Sequence, residues 1–387
     1  FSFVVADLPE RSRELCEGLG CRSFNEKDLV KLLERAVAAP PEAKPVFLAE
    51  PNAERFGRLA ACLLKALNQF PATAKSLQSL AIIPDDEGKL HPAQPNGKVL
   101  APGRGPDTLR KIYAGFRPFV AQALDSMSAG PQPPGHVTDL LDRLKAPRFT
   151  TAGLVEDLER VLKPKKGRLA SLGETAFPGN RDRLDLILAE LVKAPPNLQK
   201  RARALPLFPV AGGGLARGAE NENDRQGLVH TRAVPHTKEM RAFYAGVRPL
   251  LEAECETGPA GRLLVMTEVP AANLKLLASD LHAKLFKLNA ERIDQLHELL
   301  QIVRDSMDRN TRGQFRLLAI WPDQNGKPRP LEGDQAVYLP PTPAIRELLP
   351  EVPMLDQEIA AMEHVADMGI TKVGVEKVIH ALGPNAA

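Results

Sequence analysis

Leu318-Ala-Ile-Trp-Pro322, followed at once by Asp323-Gln-Asn-Gly-Lys327, is a short apolar run, a proline that ends it and a glycine-bearing turn. Two other stretches carry the same phrase. Leu80-Ala-Ile-Ile-Pro84 leads into Asp85-Asp-Glu-Gly-Lys-Leu90, and Leu205-Pro-Leu-Phe-Pro209 leads into Gly212-Gly-Gly-Leu215. An apolar run closed by Asn, Asp or Gly residues is a hairpin signature. Pro84, Pro209 and Pro322 must lie at a strand end or sheet edge, because proline offers no N–H to a ladder. A third short strand is expected at Lys98-Val-Leu100, Leu228-Val-His230 and Ala336-Val-Tyr-Leu339.

Upstream of each hairpin, two helical patterns recur in constant order. Leu19-Gly-Cys-Arg-Ser-Phe24 precedes Leu29-Val-Lys-Leu-Leu-Glu-Arg35. About 125 residues later Leu144-Lys-Ala-Pro-Arg-Phe149 precedes Leu154-Val-Glu-Asp-Leu-Glu-Arg160, and further copies run from Met266 to Leu277 and from Met368 to Ile379. The second helix opens on Asn52-Ala-Glu-Arg55, Asn180-Arg-Asp-Arg183 and Asn289-Ala-Glu-Arg292. An Asn cap accepts a bond from an orphan N–H, and an acid in the first turn suits the helix dipole. Leucines follow at helical spacing, as in Leu184, Leu188 and Leu191.

Downstream, Leu109-Arg-Lys-Ile-Tyr-Ala-Gly-Phe-Arg-Pro118 matches Met240-Arg-Ala-Phe-Tyr-Ala-Gly-Val-Arg-Pro249. The third copy, Ile345-Arg-Glu-Leu-Leu-Pro-Glu-Val-Pro353, keeps Arg346 and loses the Gly-x-Arg element. The fold class is therefore expected to be α+β: tandem repeats of a helix–helix–small antiparallel sheet–helix unit, stacked end to end because a small sheet needs cover for its second face. Residues 1–9 read as the tail of a preceding unit. Unit 1 covers 10–135, unit 2 covers 136–258, unit 3 covers 259–360, and 361–387 begin a fourth. The chain reads as a slice of a longer array, since it opens on Phe1 in the middle of a unit-end pattern.

The chain has 387 residues, 43% of them hydrophobic, which suffices for ordinary cores. Its net charge of +3 is too small to dictate a nucleic-acid or membrane partner. The apolar runs fall far short of the roughly 18 residues of a membrane helix. Four cysteines (Cys16, Cys21, Cys62 and Cys255) form no CxxC pair and no disulfide framework. Cys16 and Cys21 lack nearby His or Cys partners for zinc. Small buried thiols in a reducing cytoplasm fit better. No metal and no cofactor is expected.

The block order, and above all Leu205-Pro-Leu-Phe-Pro209, Leu80 to Leu90 and Leu318 to Lys327, resembles the repeat regions of sacsin-like proteins. These are large chains that carry Hsp90-type ATPase domains. The nucleotide site of that family has no counterpart here, because no Asn-bearing helix with an Asp-x-Gly-x-Gly loop is present. The resemblance implies a non-enzymatic scaffold or protein-interaction segment beside an ATPase elsewhere in the full protein. Its partner would be a protein client or a neighbouring repeat unit.

Among polar candidates, Arg117 and Arg248 each follow a Gly-x step and precede Pro, which holds the backbone extended. Such an Arg either clamps a partner's carboxylate or phosphate, or forms an internal ion pair that docks one unit on the next. Tyr113 and Tyr244 are expected to pack under the same turn. Lys163, Lys165, Lys166 and Arg168, with Arg201 and Arg203, are basic clusters without interleaved aromatics. They read as solvated loops, and the alternative is a nucleic-acid-associated segment of a large ATPase. Gly212 to Gly218 reads as a hairpin turn rather than a phosphate loop, since no Gly-Lys-Ser/Thr follows. The eight histidines form no metal or catalytic motif, and no catalytic residue is assigned.

Overall fold

The structure is a computed structural model, and it describes residues 26–40, 53–94, 106–120, 136–162, 177–339, 346–347 and 349–374. Cys16, Cys21, Asn52, the Lys98–Leu100 segment and the basic run Lys163 to Arg168 lie outside these residues. The chain divides into two compact units, Phe1–Leu154 and Val155–Ala387.

The first unit contains α1 (Glu26–Ala38), α2 (Ala53–Gln69) and α3 (Ala74–Ser79). The hairpin of β1 (Ile83–Pro84) and β2 (Leu90–His91) follows, then α4 (Pro106–Tyr113), α5 (His136–Arg143) and the start of α6 (Thr151–Val161). Apolar residues three and four apart on α1, α2 and α5 face one another. Leu33, Leu63, Leu67 and Leu140 close a core that also takes in Leu77, Ile83 and Val120.

The second unit runs α7 (Arg181–Val192), α8 (Pro196–Arg203), β3 (Phe208–Pro209), β4 (Leu215–Ala216) and α9 (Thr237–Tyr244). It continues with α10 (Pro259–Met266), α11 (Leu274–His282), α12 (Ala290–Val303), α13 (Arg309–Arg316), β5 (Trp321–Pro322), β6 (Pro328–Arg329), α14 (Gln357–Ala360) and α15 (Glu363–Asp367). Asn180 and Asn289 cap α7 and α12 as the sequence predicts, accepting from Arg183 N and Arg292 N at 2.9 Å each. Leu184, Leu188 and Leu191 are fully buried, as are Leu296 and Leu300.

The fold class is α+β, with helices and, among the described residues, three two-stranded antiparallel sheets. Pro84 pairs with Leu90, Pro209 with Leu215 and Pro322 with Pro328, so each proline ends its strand. The turns differ in chemistry. Asp85 Oδ1 accepts from Glu87 N and Lys89 N, and Asp323 Oδ1 accepts from Asn325 N and Lys327 N. At the middle hairpin Val210 holds that place, and the turn relies on Gly212, Gly213 and Gly214, all at positive φ.

The expected third strand is corrected. Among the described residues each sheet stops at two strands, and the third segment forms single bridges instead. Val229 bridges Leu250 and Tyr338 bridges Met354, both parallel. The bonds run from Val229 N to Pro249 O and from Tyr338 N to Pro353 O, at 3.0 Å each. Each of these segments also bonds back to the chain just after its hairpin, Leu228 N to Arg217 O at 2.8 Å, Ala219 N to Leu228 O at 2.9 Å and Val337 N to Pro330 O at 2.9 Å, so it lies between the hairpin and the segment after the closing helix without building a ladder.

Candidate functional site

The same closing contact occurs three times. After each hairpin an arginine donates to a main-chain carbonyl: Arg110 to Val120 at 2.9 Å, Arg241 to Leu251 at 2.6 Å and Arg346 to Leu355 at 2.6 Å. Each accepting residue in turn bridges the turn residue of its hairpin, pairing Val120 with Asp85, Leu251 with Val210 and Leu355 with Asp323. One guanidinium thus ties the closing helix, or its remnant at Arg346, to the sheet edge.

The chain just after α5, α10 and α15 also shares a geometry. Lys145, Glu268 and Gly369 adopt φ values of 53°, 58° and 63°. Ala146 N reaches Leu141 O and Val269 N reaches Leu264 O, both at 2.9 Å, which satisfies helix-terminal carbonyls.

Arg248 is nearly sealed, at 5% residue exposure. Its guanidinium pairs with Asp280 on α11 and also donates to Glu222 O at 2.6 Å and Asp224 O at 3.2 Å. Asp224 is itself held by a two-pronged bond from Arg217. Tyr244 donates from its hydroxyl to Asp280 Oδ2 at 3.2 Å, and its ring meets Phe286 edge-on. Burial drives the Tyr244 phenol upward. Burial also raises the Asp280 carboxyl above the ordinary aspartate value, against the pull of Arg248. Asp224 resists burial in the opposite direction: Arg217 and backbone N–H groups hold it below the ordinary value.

Asp280 and Phe286 lie in the stretch 259–360, whereas Tyr244 and Arg248 lie in 136–258. Tyr113 behaves alike, stacking on Phe116 and meeting Phe149 edge-on, and Phe149 lies in the stretch after 135. Arg117 is half-buried, and its N–H donates to Tyr113 O at 3.1 Å. The arrangement locks helix to helix, and Arg248 spends both terminal nitrogens inside the protein.

Of the basic candidates, Arg201 forms a two-pronged pair with Glu159 at 2.9 and 2.8 Å. Arg203 donates to Thr267 O at 2.8 Å. Both guanidinium groups therefore serve internal contacts. Among the described residues no cluster of His, Cys, Asp and Glu is arranged to hold a metal, and no helix is long and apolar enough to cross a membrane.

Sequence reasoning missed Asp280, Glu256 and the buried histidines. Asp280 stands within Leu276-Leu-Ala-Ser-Asp-Leu281, an acid inside an apolar helical pattern, and that was the available signal. His297 lies four residues after Ile293 and three before Leu300, on the buried stripe of α12. It faces His364 Nε2 at 3.1 Å and Ile320 O at 2.9 Å.

Comparison of the chain with protein-family models, with curated proteins and with solved structures gives no match.

Proposed function

We propose that this chain is a non-enzymatic scaffold, a protein-interaction segment of a large chaperone-like ATPase of the sacsin kind, working in the cytoplasm. Its units would be those at 10–135, 136–258 and 259–360, stacked end to end. The observation that carries the reading is the threefold contact of Arg110, Arg241 and Arg346 with the carbonyl beside each hairpin. A contact repeated in position and partner is what repeated units require. The joints support it further. The third segment of one unit meets the opening turn of the next through bridges of His230 with Ala271 and Leu339 with Lys372. Arg248 and Tyr244 serve the same joint. Docking of neighbours, rather than capture of a small anion, is the role their geometry favours.

The nucleic-acid alternative draws less support, since Arg201 and Arg203 are engaged within the protein. The test is a holding assay. The chain should slow aggregation of a heat-denatured model protein at near-equal ratios, without nucleotide and without ATP turnover of its own. No slowing would remove the client-contact reading. A salt-sensitive shift of labelled DNA or RNA, abolished by changing Lys165, Lys166 and Arg168 to Glu, would install the alternative.

A further inference from the structure

The bridge of Leu339 with Lys372 repeats that of His230 with Ala271. In both, the bridged residue lies three positions after a residue at positive φ, Gly369 or Glu268. The residue that follows the bridge is buried: Ala272 fully, and Val373 at 6% exposure. Phe149 holds the same place after Lys145 and meets Tyr113 edge-on. Tyr113, Tyr244 and Leu349 occupy matching positions, each three residues after its closing arginine.

The joint at Ala271 has polar fasteners. His230 Nε2 donates to Val269 O at 3.1 Å, Arg248 pairs with Asp280, and the Tyr244 hydroxyl donates to Asp280 at 3.2 Å. At Lys372 the matching residues are aliphatic. Leu339 stands for His230, Val352 for Arg248 and Leu349 for Tyr244. Leu349, Val352, Met354 and Tyr338 form an apolar cluster with Val373.

The walls of this pocket are held by bonds that do not involve Val373. Tyr338 N donates to Pro353 O at 3.0 Å, and Leu355 N donates to Tyr338 O at 2.9 Å. Gln324, in the hairpin turn, donates from Nε2 to Pro350 O at 3.2 Å and to Val352 O at 3.0 Å, and its Oε1 accepts from Met354 N at 2.5 Å. The occupant is held more lightly. Leu339 N donates to Thr371 O at 3.0 Å, Val373 N donates to Leu339 O at 3.1 Å, and Thr371, Lys372 and Gly374 are exposed. Main-chain pairing is indifferent to sequence, so specificity falls to the one side chain that enters the pocket.

We propose that Leu339 and the pocket of Tyr338, Leu349, Val352 and Met354 are a strand-addition site for an extended segment of a protein client, a site that residues 370–374 fill in the chain itself. This deepens the scaffold reading and rests on it for the client. The segment seated there gives the chemistry of the visitor. It is an extended backbone in parallel register with Leu339, with one valine or isoleucine in the pocket and polar residues beside it.

The test measures fluorescence polarisation of a labelled peptide of residues 367–378 on the full chain and on its Val373→Asp variant. The variant's own segment loses its buried side chain and stops competing, so the variant should bind the peptide about tenfold or more tightly than the natural chain. The same peptide carrying Val373→Asp should bind the variant about tenfold or more weakly. No gain in the variant, or equal binding of the two peptides, overturns the site. A variant that dimerises in place of taking the peptide also overturns it and gives the pocket to a second copy. If the variant does not fold, hydrogen exchange of the natural chain decides. The Val373 amide, held by Leu339 O, should then exchange about tenfold or more faster than the Leu355 amide, held by Tyr338 O, and equal protection overturns the site. The holding assay separates this site from the scaffold reading. Slowed aggregation without peptide binding keeps the scaffold and takes down the pocket. Peptide binding without slowed aggregation keeps the pocket and takes down the scaffold.

Discussion

Arg248 and Asp280 form an ion pair whose side chains are only 1% and 2% exposed, joining the turn after α9 to the middle of α11. Charges taken so far from water persist only when partners answer them. Most of the answers are present, two carbonyls for Arg248 and the Tyr244 hydroxyl for Asp280, while Arg248 Nε is buried without a hydrogen-bond partner.

Removing one partner strands the other. Asp280→Asn and Arg248→Met should each cost about 3–5 kcal/mol in urea unfolding, while the combined Arg248→Met, Asp280→Leu chain should regain much of that loss. A cost below about 1 kcal/mol for either single change would show that the pair does not hold the turn after α9 to α11.

Asp323 organises a turn through bonds from Asn325 N, Lys327 N and Arg329 Nε at 2.9, 3.0 and 2.7 Å. Asp323→Ala should destabilise by about 1–3 kcal/mol, because two turn N–H groups and the Arg329 guanidinium lose a charged acceptor. Burial tends to raise this carboxyl, yet Arg329 and the two N–H groups hold it below its ordinary 3.8. Its stabilising contribution is therefore present above pH 3.8 and fades as pH falls further. Equal acid midpoints for the natural chain and Asp323→Ala would contradict that assignment.

His364 is fully buried, and burial, with His297 opposing a second charge, pushes its pKa down to about 4. A depressed histidine means that the unfolded chain binds the proton first. Stability is complete above about pH 6.5 and declines as pH drops toward 4, by about 3 kcal/mol across that window. His364→Gln should flatten the dependence of unfolding free energy on pH over this range. An unchanged slope would discard the point.

Two glycines should respond to alanine with opposite signs. Gly246 adopts φ +75°, so Gly246→Ala should cost about 1 kcal/mol through backbone strain alone. Gly313 lies inside α13 with open space where a Cβ would go, so Gly313→Ala should stabilise by about 0.5–1 kcal/mol. Thermal melts of the two variants moving the same way would break this contrast.

What the sequence made legible was local. The hairpins at Pro84, Pro209 and Pro322 and the caps at Asn180 and Asn289 depend on residues within a few positions of one another. Proline, asparagine and glycine carry that information alone. Arg248 was visible as a constrained cation, but its partner Asp280 lies on another helix, and no local rule pairs them. The third segment lies beside the hairpin as expected but forms single bridges rather than a strand, for a related reason. Leu228-Val-His230 has strand composition, but whether it joins a ladder depends on the reach of β3 and β4. His230 and His297 looked solitary because their neighbours, Val269 O and His364, arrive from distant parts of the chain.

Among the described residues each sheet strand is two residues long, and part of each hairpin edge is occupied by a bridge to the segment after the closing arginine. A long bare strand is a template on which other chains add and fibrils grow. Among the described residues that template is only two residues long in each hairpin, so each offers an adding chain little to pair with. Lengthening any one hairpin by even a few alternating apolar residues would reopen that hazard.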